Sequence, residues 1–214
     1  MNTPDTKLDI KRFWYEELDS TMDKAKRLVE SGQVSNTAFV VADYQTAGRG
    51  NYGRKWDSPK GAGIYLSIIH LSLIDKPITI STLYTKACAV ACVESINEFC
   101  NLKTSIKPLN DIYAGNKKLG GILVESKLTK NKISVLITGI GINVYKSEYL
   151  LDRNTVQPVS LEELMEKENF SRFSKEKLIE KIVKNTDEWY SKIFSGEYTE
   201  VQLRWNDYCK SVLF

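Results

Sequence analysis

The sequence contains one histidine, His70, and four cysteines that lack C-x-x-C spacing. Zinc sites usually combine closely spaced cysteines with histidines, so we predict no metal site built from the protein's own side chains. His70 has the same parity as Ile64 and Leu66 on a predicted strand, which favours a core or edge histidine over a catalytic one and argues against a Ser-His-Asp triad. Free cysteine is among the most buried residue types, so we expect buried free thiols. The cysteines are Cys88, Cys92, Cys100 and Cys209.

Other common signatures are also missing. The chain has neither a G-x-x-x-x-G-K-[ST] phosphate loop nor the G-x-S-x-G turn of a serine hydrolase. No apolar run is long enough to span a membrane, and the polar segment Met1–Arg12 lacks the apolar stretch of a signal peptide, so we expect a cytoplasmic protein without a membrane partner. The net charge of +3 is too small to indicate nucleic acid as the main partner.

The most informative stretch that the sequence does contain is the loop Gly48–Trp56, which reads G-R-G-N-Y-G-R-K-W. Glycine allows sharp turns and close approach to a ligand, arginine binds phosphate or carboxylate, and tryptophan adds an apolar surface. The loop therefore suits a ligand with an anionic and an apolar end, and a basic surface turn is the alternative. Its G-x-G-x-x-G pattern does not indicate a dinucleotide site, because a strand follows where that site needs a helix.

Hydrophobic periodicity and turn residues predict both strands and helices. Ser20 with Asp23 resembles a capping box for the first helix, and Gly32 is suited to end it. Strands are predicted over Phe13–Glu16, Thr37–Tyr44, Ile64–Leu71, Thr104–Lys107 and Ile133–Ile142, with a hairpin turning at Gly115-Asn116. Helices are predicted from Ser20 to about Ser31, over Ile78–Asn101, Leu161–Glu166 and Ser174–Phe194, and from Glu197 onward. The pattern indicates a single α+β domain.

Glycines inside two predicted strands indicate that another group packs closely against them. Gly120 and Gly121 follow Lys118 on the second strand of the hairpin, where glycine is costly unless something approaches there. Gly139 and Gly141 alternate along the last predicted strand and leave one of its faces bare. A flat ligand would fit against that face.

Cations and amides accompany these glycines in three separate segments. The cations are Arg49, Arg54, Lys107 and Lys118, and the other polar side chains are Gln45, Asn110, Asp111 and Asn143. Such a set, without an obvious nucleophile, suits adenylation, in which a carboxylate substrate attacks an α-phosphate while the protein supplies positioning and charge stabilisation. Each cation taken alone is more simply a solvated surface charge, and it is their clustering that favours a site.

These segments resemble the signatures of the biotin protein ligases. Gly48–Trp56 matches a G-R-G-x-x-G-R-x-W loop, Lys107–Glu125 resembles K-W-P-N-D-I-Y…K-K-x-x-G-I-L-V-E, and Gly139–Val144 matches G-I-G-I-N-V. A D-S-T triplet at residues 19–21 fits the family's opening motif. The resemblance implies the biotin/lipoate ligase fold, an α+β fold with a mixed, largely antiparallel sheet flanked by helices and related to class II aminoacyl-tRNA synthetases.

The resemblance also implies a two-step, ATP-dependent ligase reaction. Biotin and Mg-ATP give biotinyl-5′-AMP, and the biotinyl group then passes to a lysine of a biotin carboxyl carrier protein. The implied biotin-binding residues are Ser20, Thr21, Gln45, Arg49, Gly50, Asn51, Trp56 and Lys118. The implied ATP-binding residues are Arg49, Arg54, Lys107, Asn110 and Asn143. Lys118, Arg49 and Asp111 are the implied catalytic residues, with Asp111 orienting or deprotonating the acceptor lysine.

Several positions depart from the family pattern. Asn51 and Tyr52 stand where two basic residues are common, Pro108-Leu109 replaces Trp-Pro, and Met22 replaces a polar residue. We expect residues 1–214 to form one catalytic domain, without the small C-terminal β-barrel domain that is usual in the resembled family or the N-terminal DNA-binding domain of some of its members.

Two alternative functions remain open, and we also expect the protein to form a homodimer. The alternatives are a lipoate or octanoate ligase on the same fold, and a non-catalytic biotin-binding module. A homodimer is a further expectation from the resemblance, formed through an exposed strand such as Ile64–His70, because exposed strand edges favour pairing.

Overall fold

The structure, a computed structural model, describes residues 10–71, 80–130, 132–147 and 157–210. The strands are β1 (Lys11–Leu18), β2 (Ala38–Gln45), β3 (Gly63–Leu71), β4 (Ser105–Lys107), β5 (Asp111–Ala114), β6 (Lys117–Thr129) and β7 (Lys132–Asn143). The helices are α1 (Thr21–Glu30), α2 (Ser81–Cys100), α3 (Leu161–Leu164), α4 (Lys167–Ser171), α5 (Lys175–Ser195) and α6 (Tyr198–Lys210). None of the helices within these ranges is long and apolar enough to cross a membrane.

The strands form one sheet in the order β1-β2-β3-β7-β6-β5-β4. β1 and β2 are parallel and are connected through α1, and the other neighbouring strands are antiparallel. The sheet is therefore mixed and largely antiparallel, as predicted. The sequence did not indicate the parallel pair, because nothing in the pattern of β1 and β2 specifies which strands pair.

The two faces of the sheet have different partners. Ile64, Leu66 and Ile140 belong to the cluster that packs with α2 and α5, whereas Val135 and Ile137 pack with α1. This alternation follows from the two-residue period of a strand, and it places Gly139 and Gly141 on the α1 face. Because α1 is short, part of that face is left for other groups.

The isolated histidine and three of the cysteines lie in the core. His70 is 4% exposed on β3, so the prediction of a core or edge histidine is confirmed. Cys88, Cys92 and Cys100 are buried free thiols, as expected. Cys209 is only half-buried, so the expectation is wrong for this cysteine, which lies in the last turn of α6. Burial raises the pKa of Cys100 to about 12, which makes this thiol unreactive at neutral pH.

The predicted capping box at the start of α1 is wrong. Ser20 precedes the helix in an extended conformation, but its side chain makes no cap hydrogen bond. Asp23 does not reach back to Ser20, because its carboxylate pairs with Arg49, 2.9 Å away. The predicted end of α1 is confirmed, since Gly32 follows the helix in the left-handed region at a φ of 68°.

Two other expectations need correction. The strand Ile64–His70 is not an exposed edge, because β3 pairs with β2 on one side and with β7 on the other. It therefore offers no free backbone for a dimer, and the edges of the sheet are β1 and β4. The predicted helix Leu161–Glu166 ends two residues earlier, as α3 at Leu164, since Met165 has an extended ψ of 148°, and the next helix, α4, begins only at Lys167. The predicted start of α2 at Ile78 falls outside the described residues.

An exposed ion pair between Asp19, which precedes α1, and Arg27, in the last turn of α1, gives a pH-dependent prediction. A hydrogen bond from Arg27 lowers the pKa of Asp19 from 3.8 to about 2. The stability that this pair contributes is therefore present above about pH 4 and is lost as the pH falls toward 2. Both side chains are about half-exposed, so we expect Asp19→Asn to cost only about 0.2–1 kcal/mol at pH 7. Urea denaturation at several pH values checks this, and a difference that grows on acidification would contradict it.

Candidate active site

A cavity of about 200 Å³ lies on the α1 face of the sheet, under the Gly48–Trp56 loop. All of the predicted site residues except Lys107 line it. Lys107 lies on β4, with its Nζ 5.2 Å from the ring centroid of Tyr113. The lining also includes Met22, Leu123 and Pro158, which the sequence analysis did not assign to the site. Following the strand order, β2 and β3 form one end of the cavity, β7 and β6 form its middle, and β5 forms the other end.

Buried polar side chains form the end of the cavity near β2 and β3. The Gln45 Oε1 accepts hydrogen bonds from the Thr21 backbone N–H (2.8 Å) and hydroxyl (3.1 Å). The Ser67 hydroxyl donates to the Thr21 Oγ1, and the Gln45 Nε2 donates to the Ser58 Oγ. These bonds fix Thr21 and Gln45. The buried Ser20 Oγ has no hydrogen-bond partner within the described part of the chain, and a buried polar atom of this kind favours a ligand partner.

Glycines of β6 and β7 form the apolar floor of the cavity, and two side chains lie directly on them. A Cβ placed on Gly141 would be 2.4 Å from the Trp56 Cε2, and one on Gly139 would be 2.7 Å from the Met22 Sδ. A Cβ on Gly121 would be 3.1 Å from the Trp56 Cζ3. The flat group against the bare strand face is thus the indole of Trp56. The glycines were predictable from the sequence, but the side chain that covers them was not.

Lys118 and Asp111 lie at the end of the cavity near β5. The Lys118 Nζ is 2.8 Å from the Asp111 Oδ1 and 5.5 Å from the centre of a Trp56 ring. The carboxylate and the ring thus hold the ammonium group from two sides. Both side chains are about a quarter exposed, so the pair remains within reach of a ligand or a partner protein.

Arg49 binds two carboxylates that close the loop onto α1 and β6. Its guanidinium contacts both oxygens of Glu125, at 2.9 and 3.3 Å, and the Asp23 Oδ1 at 2.9 Å. Lys26 pairs with the same Glu125 at 2.8 Å. Burial alone would raise the pKa of Glu125, but the hydrogen bonds from Lys26 and Arg49 outweigh it and lower the pKa. Glu125 is therefore ionised near neutral pH and holds Arg49 in place.

Asn51 provides a second contact between the loop and β6. Its Nδ2 donates to the Ile122 backbone carbonyl at 3.1 Å, and Asn110 donates to the same carbonyl at 2.7 Å. Within the loop, the Gly50 N–H bonds to the Arg54 carbonyl and the Trp56 N–H to the Gly48 carbonyl. These hydrogen bonds hold the loop in a defined conformation against β6.

The model of the biotin/lipoate A/B protein ligase family matches residues 14–143, which is more than half of the chain. The chain belongs to this family.

Individual relatives agree with that placement. The bifunctional ligase/repressor BirA of Bacillus subtilis is 39% identical over 132 residues, which cover 62% of this chain and 40% of the relative. The biotin–protein ligase of Schizosaccharomyces pombe is 32% identical over 193 residues, covering 79% of this chain and 29% of the relative. The chain thus spans less than half of these two relatives.

A solved structure confirms the fold. The biotin protein ligase of Aquifex aeolicus, in complex with biotin and ATP, superposes with a TM-score of 0.74 at 27% identity. The match covers 93% of this chain and 78% of the other. The predicted biotin/lipoate ligase fold is therefore correct.

The positions that depart from the pattern of the biotin/lipoate ligase family have distinct surroundings. Asn51 contacts β6, as described above, whereas Tyr52 is 90% exposed with a φ of 59°. Met22 is buried against Gly139. The peptide bond between Pro108 and Leu109 is cis. Asn51, at a position where a basic residue is common, thus donates a hydrogen bond to the sheet. Tyr52, at the next such position, points into solvent beside Arg54.

The carboxylates around Arg49 give a prediction about loop opening in this family member. We expect the double variant Asp23→Asn, Glu125→Gln to be cut by trypsin within Gly48–Trp56 about tenfold faster, because lost ion pairs raise the population of the open loop. Glu98→Gln removes an ion pair with Lys181 away from the cavity and serves as the control. Time courses resolved by mass spectrometry measure the cleavage. Equal rates for the two variants would show that the ion pairs do not hold the loop.

Proposed function

We propose that this protein is a biotin protein ligase, which activates biotin with ATP and transfers it to a lysine of a biotin carboxyl carrier protein. The observation that carries the proposal is the order of groups across the sheet. A buried polar end at Ser20 and Gln45 is followed by the glycine floor with Trp56 and then by Lys118. Biotin has the same order of groups: a polar ureido ring, an apolar body and chain, and a carboxylate.

Each part of biotin has a partner of suitable chemistry. The unpartnered Ser20 hydroxyl and the fixed Thr21 and Gln45 would bind the ureido group. Trp56, Gly50 and Asn51 would enclose the apolar body, and the Lys118 ammonium would neutralise the carboxylate. The Aquifex aeolicus ligase, solved with biotin and ATP, supports the assignment of both ligands to this fold.

The proposed first step is attack of a biotin carboxylate oxygen on the α-phosphorus of ATP, which releases pyrophosphate. Charge builds up on the phosphate oxygens in the transition state, and Lys118 and Arg49 would stabilise it. Arg54, Lys107, Asn110 and Asn143 are the proposed contacts of the nucleotide. Mg²⁺ would enter with ATP as part of the substrate.

In the proposed second step, the amine of the acceptor lysine attacks the acyl carbon, and AMP leaves. The amine must be neutral to attack, and Asp111 would orient it or accept its proton. We further propose that the reaction takes place in the cytoplasm, where ATP is available.

The test is incubation with biotin, ATP and Mg²⁺, followed by mass spectrometry for biotinyl-AMP. We expect this adenylate, and little or none with lipoate or octanoate. A larger yield with lipoate or octanoate would replace the proposal with a lipoate-type ligase. Tight biotin binding by calorimetry without any adenylate would replace it with a non-catalytic binding module. Size-exclusion chromatography with light scattering, with and without biotin and ATP, tests the remaining prediction of a homodimer.

A further inference from the structure

Two large apolar side chains, Tyr52 and Leu109, are exposed next to residues of the cavity but do not line it. Tyr52 is 90% exposed and Leu109 is 44% exposed. Their chain neighbours Asn51 and Asn110 do line the cavity. The two apolar side chains therefore lie on the rim, where another protein can cover them, and covering apolar surface is favourable.

One shared contact brings these two residues to the same part of the rim. Asn51 and Asn110 donate to a single acceptor, the Ile122 carbonyl, at 3.1 and 2.7 Å. Tyr52 follows Asn51 in the chain, and Leu109 precedes Asn110. Both Tyr52 and Leu109 also stand at positions where the sequence departs from the family pattern, so the two departures meet at one place in the structure.

The backbone of Tyr52 has a conformation that a bulky residue rarely adopts. Its φ of 59° and ψ of 36° lie in the left-handed region, which favours glycine. The next residue, Gly53, has a φ of 73°. Backbone conformations of this kind cost free energy and are concentrated at binding and catalytic sites. An exposed aromatic ring held in this conformation indicates contact with a partner.

The acceptor protein must approach this part of the rim. Its lysine amine has to reach the Lys118–Asp111 pair, and a lysine side chain spans only about 6 Å from Cα to Nζ. Leu109 is two residues from Asp111, and Asn110 between them lines the cavity. The acceptor surface around the target lysine must therefore lie against the rim, close to Leu109.

We propose that Tyr52 and Leu109 form a docking contact for the biotin carboxyl carrier protein. The inference rests on the proposed function, and it assigns these residues to the second step alone. Neither side chain lines the cavity, so they serve transfer and not adenylation. Tyr52 is the larger contributor, because it has more area to bury and because tyrosine is prominent among residues whose truncation weakens protein interfaces.

The experiment measures the two steps separately. Biotinyl-AMP formation is measured without acceptor, and transfer is measured in single turnovers from the preformed complex of enzyme and biotinyl-AMP. The acceptor is a purified, unbiotinylated carrier domain at increasing concentrations. For Tyr52→Ala we expect the half-saturating concentration of carrier domain to rise about tenfold. The maximal transfer rate and the rate of adenylate formation should stay within twofold of the wild type.

Further variants separate docking from a general effect on the loop. Leu109→Ala should give a smaller rise than Tyr52→Ala, and the double variant a larger one. Tyr52→Phe keeps the ring and should behave as the wild type. Trp14→Ala should change neither step, because Trp14 is also 44% exposed but lies on β1, at the opposite edge of the sheet.

Three results would count against the docking contact. The first is an unchanged half-saturating concentration in the double variant. The second is adenylate formation slowed as much as transfer, since the two residues would then support the cavity itself. The third is loss of a dimer, seen by light scattering, with transfer unchanged, since the surface would then bind a second copy of the chain. Absence of adenylate or of transfer in the wild type would instead overturn the proposed function.

Discussion

Replacing Lys118 with alanine is expected to slow biotinyl-adenylate formation by about 10²–10³-fold while leaving the fold intact. The magnitude is that of removing one preorganised group which stabilises developing charge in a partly buried site. Lys118 meets this description, since Asp111 and Trp56 hold its ammonium group and Gln157–Val159 holds its backbone. Removing the side chain leaves the backbone contacts in place, so stability should change little.

Lys117→Ala is the matched control, because it removes the adjacent lysine on the same strand. Lys117 is not among the residues that line the cavity, and its strand partner is Ala114. The rate of biotinyl-adenylate formation by Lys117→Ala should stay within twofold of the wild type. Single-turnover measurements at saturating ATP and biotin test the pair, with circular dichroism to verify folding. An unchanged rate in Lys118→Ala would remove Lys118 from the mechanism.

Lys118→Arg tests whether the rate depends on the exact position of the positive charge or only on its presence. It keeps the positive charge but replaces a compact ammonium with a broad, planar guanidinium. If the position of the charge matters, as the contacts with Asp111 and Trp56 indicate, this variant should recover only part of the lost rate. Full recovery would show that the net charge at this position is sufficient.

The local features of the site could be predicted from the sequence. The Gly48–Trp56 loop, Lys118 after the hairpin turn and the alternate glycines of β7 all appear as short patterns with a physical meaning. The strands and most helix ends were predictable for a similar reason, because the period of apolar residues depends on neighbours along the chain. Gly32 and Gly115 stand at turns with positive φ, where the sequence alone indicates the backbone conformation.

What could not be predicted depends on contacts between residues far apart in the sequence. Arg49 is 76 residues from Glu125, and nothing near Arg49 indicates that carboxylates hold the loop. Asp23 fits a capping-box pattern, but the charge of Arg49 competes successfully for it. The interior position of β3 follows from the order of strands in the sheet, which single-strand patterns do not specify.

The second large effect is expected at the cavity floor, where Gly141→Ala should weaken biotin binding by more than tenfold. A Cβ at this position would be 2.4 Å from the Trp56 Cε2 and 2.6 Å from its Nε1. Both distances are far below a van der Waals contact, so the indole must leave the strand face. The displaced ring would carry the loop with it and would lose its contact with the Lys118 ammonium, 5.5 Å away.

The neighbouring Gly120→Ala provides a contrast in stability. A Cβ on Gly120 would be 2.7 Å from the Gly141 backbone carbonyl, which belongs to the sheet and cannot move freely. We therefore expect Gly120→Ala to cost about 1–3 kcal/mol of unfolding free energy, as overpacked cores do. Gly141→Ala should cost less, because the group that it displaces is a side chain on a loop.

Removing the indole decides whether Trp56 is the cause of the weaker biotin binding that we predict for Gly141→Ala. In a Trp56→Ala background the three atoms nearest to the added methyl group are gone, so Gly141→Ala should change the biotin Kd by less than about twofold there. Calorimetry with biotin measures the four affinities of this cycle, and thermal unfolding verifies that each variant is folded. Normal biotin affinity in Gly141→Ala alone would show that the indole does not form a wall of the biotin site. If Gly141→Ala weakens biotin binding equally in the Trp56→Ala background, then biotin itself, and not the indole, needs the bare glycine. The ligand would then be the group that contacts the added methyl group.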